Sequence, residues 1–153
     1  MLASFLIGLV SGQRALAPLA GVAVAQARGE LPRGGAPGLL GKPLVAAGLV
    51  ALAIAEMAGD KQKSAPDRTV PVGLAARFVT AGIAGAALAP ARQRWLGAGI
   101  GAVTAVVASY PGWRARIAAM RPYGQTSTGF VEDAAVLAAA VAIVRARSSG
   151  ALA

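Results

Sequence analysis

The residues best suited to chemistry are a few charged side chains that lie within or beside long apolar runs. Glu56 and Arg77 bound the charged stretch 55–77, and Arg14 lies near the middle of the first apolar run. Inside a bilayer such charges pair with one another or line a substrate path, so an arginine there can bind an anionic group and a carboxylate can carry a proton. The residues of the predicted pocket and its ion pairs are Arg14, Glu56, Asp60, Lys61, Asp67, Arg68 and Arg77.

The residue types that are missing exclude most catalytic chemistry. The chain has no cysteine and no histidine, which rules out a disulfide framework, a thiolate zinc site, a catalytic thiol and a histidine base. Six acidic residues leave little for a carboxylate metal cage. The hydroxyls of Ser11, Ser64, Thr69 and Thr80 have no identifiable base. The sequence therefore predicts no enzyme, no metal site and no cofactor.

Composition indicates that lipid surrounds the elements that carry these charges. Of the 153 residues, 56% are hydrophobic and 14% are charged, against roughly 45–50% and 25% in ordinary globular proteins. The mean hydropathy is +0.62. A soluble protein of this size needs more polar surface, because its surface-to-volume ratio is high. We predict a multi-pass protein of the bacterial cytoplasmic membrane.

The net charge of +9 is a feature that nucleic-acid-binding proteins also have. A nucleic-acid surface would gather basic residues along one face and interleave them with aromatic rings. Here most basic residues lie between the apolar runs instead, as expected of helix ends that meet lipid headgroups. The predicted partners are the bilayer with its anionic headgroups and a small anionic solute or lipid, with no nucleic acid.

Five apolar runs predict an all-α fold, a polytopic transmembrane bundle of four to five helices in a single domain. The runs are 2–25, 39–59, 72–89, 95–111 and 130–144. The first is long enough to cross a bilayer core of about 30 Å, and Pro18 predicts a kink in it, because the Arg14 carbonyl loses its helical partner. A secretory signal peptide competes for this run, although its polar centre and uncharged start both depart from that pattern.

Small residues predict how the helices pack. Ser4, Gly8 and Gly12 share one helix face, and Gly97 and Gly101 repeat the same four-residue spacing. Such stripes let backbones approach closely, within one chain or in a homo-oligomer. Trp95, Tyr110 and Trp113 lie at the ends of the fourth run, where interfacial aromatic residues are expected. Glu132 and Asp133 fall in the first turn of the last run, where a carboxylate favours the helix N-terminus.

The estimated depths of the charged residues in the membrane place them close together. Glu56 and Arg77 each lie roughly 6–9 Å inside the same membrane boundary at 1.5 Å per residue, so we expect them to pair. Arg14 lies about 18 Å inside that boundary, and its long side chain is expected to reach toward the same cluster. A paired structural arginine and an arginine that binds a solute are both open at this point.

Several segments resemble a bacterial membrane family known as domain of unknown function 4126. The likeness rests on SGQRALAP from Ser11, AEMAGDK from Ala55, SAPDRT from Ser64 and AARFVTAGIAGAALA from Ala75, and it extends to about Met120. The resemblance implies a small multi-helix membrane protein and no particular activity. Two functions follow from the residues: a small transporter, flippase or channel with a charged half-membrane pocket, or a non-transporting structural or assembly subunit.

Overall fold

The chain is all-α in a computed structural model that describes residues 1–31, 38–59 and 70–152. This part of the chain contains helices and no strand, which confirms the predicted fold class. The helices are α1 (Leu2–Ser11), α2 (Leu16–Ala27), α3 (Pro43–Gly59), α4 (Pro71–Leu88), α5 (Arg94–Tyr123) and α6 (Gln125–Ser148). One turn of 3-10 helix, Ala91–Gln93, joins α4 to α5.

The first apolar run forms two helices instead of one kinked helix. α1 ends at Ser11 and α2 begins at Leu16, so the interruption comes before Pro18. In a continuous helix the missing amide hydrogen of Pro18 would leave the Arg14 carbonyl unbonded. With a helix that starts at Leu16, Pro18 falls in the first turn, where backbone amides have no helical acceptor in any case. The amides of Gly12, Gln13 and Arg14 still bond to carbonyls of α1, whereas the Gly12 carbonyl and the Ala15 amide bond to side chains of other helices.

Proline also sets the starts of α3 and α4. The second run was predicted to begin near residue 39, but α3 begins at Pro43 and the residues just before it form a turn. Proline is favoured at the first helical position because its fixed φ suits the helix and no hydrogen bond is lost. Pro71 begins α4 in the same way, close to the predicted boundary.

The two last helices extend well beyond their predicted bounds. The sequence predicted a polar loop at 113–129, whereas α5 continues through Pro111 to Tyr123 and α6 begins at Gln125. Gly124 alone joins them, with φ at +78°, a conformation that glycine adopts without strain. The prediction that Glu132 and Asp133 lie in the first turn of α6 is therefore wrong, because two helical turns precede them.

Glycine stripes pack α1 and α4 against α5. A Cβ on Gly8 would lie 2.7 Å from the carbonyl oxygen of Gly101, and a Cβ on Gly85 would overlap the Gly97 carbonyl. Ser4 donates a hydrogen bond to the Gly85 carbonyl at 2.9 Å. The predicted small-residue faces are thus filled by helices of the same chain, and they give no support for a homo-oligomer.

Small side chains fill the interior and many large apolar ones lie outside. The buried apolar residues are mostly alanines, whereas Leu44 and Val72 are 86% and 80% exposed. Large exposed apolar side chains occur on all five helices other than α2. Two helices of the described part, α4 and α6, are long and apolar enough to cross a membrane, and α1, α2 and α3 are shorter apolar helices.

Candidate functional site

The interruption between α1 and α2 is held by side chains from several helices. On the α5 side, Ser109 donates a hydrogen bond to the Gly12 carbonyl at 3.2 Å, and the Gln13 amide donates to the Ala108 carbonyl at 3.3 Å. A Cβ on Gly112 would overlap the Gln13 amide, so only glycine leaves room for that side chain. The Ser109 contact satisfies a carbonyl that the interrupted helix leaves unbonded, and the Gln13 contact ties the interruption to α5.

Glu56 binds the first amides of α2. Its two carboxylate oxygens accept hydrogen bonds from the backbone N–H groups of Ala15 and Leu16, at 2.8 and 2.9 Å. A negative charge at this position is stabilised by the positive end of the helix dipole. The contact joins the end of α3 to the start of α2 and fixes the direction in which α2 leaves the interruption.

Arg14 pairs with α6. Its Nε donates to Oδ1 of Asp133 at 2.8 Å, and its Nη2 lies 2.8 Å from the same oxygen. Glu132 lies 3.9 Å from Arg14 and accepts a hydrogen bond from Nη1 of Arg116 at 2.7 Å. Arg14 is only 1% exposed, and a charge so far from water needs partners of this kind. Among the described residues this cluster contains two arginines and two carboxylates.

A cleft of about 640 Å³ opens beside this cluster between α1, α5 and α6. Alanine, valine and leucine side chains line most of it. The polar side chains in its lining are those of Gln13, Arg116, Thr128 and Glu132. An apolar cleft with a few converging polar groups is the usual form of a small-molecule site.

The described residues of the predicted site, Arg14, Glu56 and Arg77, do not form one cluster of ion pairs. Arg14 and Glu56 both contact the 12–16 segment, but through separate bonds. Arg77 is buried in α4, and the ion pairs within the described ranges do not include one between Glu56 and Arg77. The remaining predicted residues, Asp60, Lys61, Asp67 and Arg68, lie outside the described residues.

The sequence analysis missed Arg116, Glu132 and Asp133 as members of the cluster. Arg116 was placed in a polar loop, and the two acids were assigned to a helix N-terminus. A charge balance could have drawn attention to the two acids, because an arginine within an apolar run requires a carboxylate partner and the last run carries two, although it does not choose between them. Within the described ranges, no group of three or more acidic residues could hold a metal ion.

Comparison with known proteins yields no relative of this chain: no family model, no curated protein and no solved structure matches it. The resemblance to the family of unknown function therefore stays a prediction.

Proposed function

We propose that the chain is a multi-pass protein of the bacterial cytoplasmic membrane, in which α1 with α2, α3, α4, α5 and α6 supply four to five membrane helices. The exposed leucine, valine, isoleucine and phenylalanine side chains support this placement, since soluble monomers rarely expose so much contiguous apolar surface. The resemblance to a bacterial membrane family agrees with it.

The distribution of charge supports the same placement. Near helix ends the charged side chains are exposed, as at Lys42, Arg92 and Arg145, and Arg94 stacks on Trp95 with its guanidinium carbon 5.3 Å from the ring centre. In the interior of the bundle Arg14, between α1 and α2, and Asp133, on α6, are buried and paired. Ionisable residues inside membranes face the bundle interior in this way, and aromatic residues gather at the interfaces.

We further propose that the protein is a small transporter or flippase whose site is the cleft between α1, α5 and α6. The observation that carries this proposal is the meeting of an apolar cleft of about 640 Å³ with the Arg116–Glu132 ion pair. The apolar walls suit the hydrophobic part of an amphipathic molecule. Arg116 suits an anionic head, which would compete with Glu132 for the guanidinium.

Arg14 has a positioning role in this proposal. Its side chain is buried, bonded to Asp133 and absent from the lining of the cleft, whereas Arg116 is part of that lining. Asp133 and Glu132 are neighbours on α6, and Arg14 therefore fixes the depth of the carboxylate that faces the cleft. The proposed solute-binding arginine is thus Arg116, which was not among the residues of the predicted pocket.

The test is transport by the purified protein in proteoliposomes, with a fluorescent anionic lipid for flipping and a small organic anion for uptake. Arg116→Gln and Glu132→Gln should each slow transport about tenfold or more, because a charge-assisted hydrogen bond contributes roughly 1.5–3 kcal/mol. Arg114→Gln removes an exposed arginine from the same helix and should leave the rate unchanged. No transport by the unaltered protein, or equal loss in all three variants, rejects the proposal.

A non-transporting structural subunit is the second candidate, and the burial of Arg14 favours it. In that case the ion pairs and glycine contacts only hold the bundle together. The exchange Arg116→Glu with Glu132→Arg should then restore the expression that each single change loses. Single variants that fold and assemble fully but do not transport would exclude this alternative.

A further inference from the structure

A second group of cavities lies along α2 and α3, apart from the cleft described above. One apolar groove of about 490 Å³ lies between α2, α3 and α6, with Ala20, Ile54 and Val141 in its lining. Another of about 520 Å³ lies between α2 and the start of α3, beside Ala46 and Ala47. Arg28 lines both grooves. The guanidinium of Arg28 is therefore common to both apolar grooves.

A polar pocket of about 440 Å³ adjoins these grooves. Arg28 lines it as well, together with Gln26 and Lys42. Arg145, at the end of α6, lines the groove between α2, α3 and α6, and Glu30 is the acidic residue there. The Arg28–Glu30 pair is 3.9 Å apart with both side chains exposed, so it neutralises little of the charge. The local balance is positive.

The geometry points to a bound phospholipid of net negative charge, with one acyl chain in each groove and its phosphate held by Arg28 and Lys42. This inference rests on the proposed membrane location and does not involve the α1–α5–α6 cleft. Basic pockets at the ends of membrane helices are known sites for anionic headgroups. A zwitterionic lipid would bring its own cation into an already positive site.

The length of the groove between α2, α3 and α6 matches the thickness of one leaflet. Along α2 it runs from Ala17 to Arg28, about 16 Å at the helical rise. That is close to half of a hydrocarbon core of about 30 Å. Its lining on α2 is mostly alanine and glycine, and larger residues of α3 and α6 complete it. The Gly21 position leaves room, since a Cβ there would meet only Ala140, at 3.9 Å.

The charge requirement is tested by native mass spectrometry of the detergent-purified protein after incubation with phosphatidylglycerol or phosphatidylcholine of identical acyl chains. We expect retention of one phosphatidylglycerol in preference to phosphatidylcholine. The double change Arg28→Gln with Lys42→Gln should weaken retention by roughly fivefold for each charge removed. The matched control, Arg92→Gln with Arg94→Gln, removes two exposed arginines that line none of these cavities and should not change retention.

The role of the groove between α2, α3 and α6 is tested by substitutions that fill it with a large side chain. Val141→Trp places a large ring in the groove from an exposed position on α6, and should abolish retention without unfolding the protein. Val103→Trp, at an equally exposed position on α5 away from the groove, should have no effect. Equal retention of both lipids, equal loss in the arginine control, or normal retention in Val141→Trp overturns the inference.

Membrane fractionation separates failure of this inference from failure of the proposed function. If the protein resists alkaline extraction from membranes yet retains no anionic lipid, the lipid site is wrong and the membrane placement stands. If alkaline buffer releases the protein, both are wrong.

Discussion

Nε and Nη2 of Arg14 both lie 2.8 Å from the same carboxylate oxygen of Asp133, although 119 positions separate the two residues. The pair joins the interrupted segment between α1 and α2 to the middle of α6. Both residues are buried, and each charge lies beside a partner of opposite sign. The position of α6, and of Glu132 beside the cleft, follows from this bond.

Removal of Arg14 alone should destabilise the protein strongly. Arg14→Met leaves a buried carboxylate without its main partner, and we expect the free energy of unfolding to fall by about 3–5 kcal/mol. The double change Arg14→Met with Asp133→Leu should recover most of that loss, because it leaves neither charge buried. Reversible unfolding in mixed micelles on titration with a denaturing detergent measures both values.

The control for this prediction is Arg114→Met, an exposed arginine on α5, which should change the free energy of unfolding by no more than about 0.5 kcal/mol. If Arg14→Met were as stable as this control, the ion pair would have no structural role.

Glu56 should act as a cap for α2. Glu56→Ala removes the acceptor of two backbone amides, and we expect a loss of about 1–2 kcal/mol with faster hydrogen exchange at Ala15 and Leu16. Glu56→Gln keeps one acceptor oxygen and should lose less. Glu30→Ala, which removes an exposed carboxylate, is the control. Unchanged exchange at the two amides in Glu56→Ala would contradict the capping role.

Glycine-to-alanine substitutions should destabilise the protein where the glycine packs against another helix and not where it faces open space. Gly85→Ala and Gly101→Ala place a Cβ against backbone of a neighbouring helix, and should destabilise by about 1–3 kcal/mol. Gly48→Ala and Gly99→Ala meet nothing within 4 Å in helices, and should be neutral or stabilising by up to about 1 kcal/mol. Thermal unfolding in detergent gives the comparison. Similar effects in the two groups would show that the helices are packed differently.

The positions of the helix ends predict from which side of the membrane introduced cysteines can be labelled. Arg147 donates a hydrogen bond to the Leu88 carbonyl at 2.7 Å, so α4 and α6 end at the same side. Because the chain has no cysteine, single cysteines can be introduced without background. Arg92→Cys and Ser149→Cys should react with an impermeant maleimide from one side of the membrane, and Ser127→Cys from the other, about 33 Å away along α6. Reaction of all three from one side would reject α6 as a membrane span.

The candidate site could be predicted only in part. Arg14 and Glu56 are recognisable because a charge within an apolar run is costly unless it has a partner. Their actual partners are not, since Asp133 and two backbone amides become neighbours only when distant helices pack together. The expectation that Glu56 pairs with Arg77 used depth alone, and equal depth does not specify which faces of two helices meet.

The sequence by itself determined the all-α class, the approximate position of the apolar helices and the small-residue faces, because these depend on local composition and on the helical repeat. The tertiary structure decided where α1 stops, since the interrupted backbone at 12–15 is stable only with hydrogen bonds from α3 and α5. It also decided that Arg14 is an internal partner of Asp133 and that Arg116 faces the cleft, because long-range pairing follows from how the helices pack.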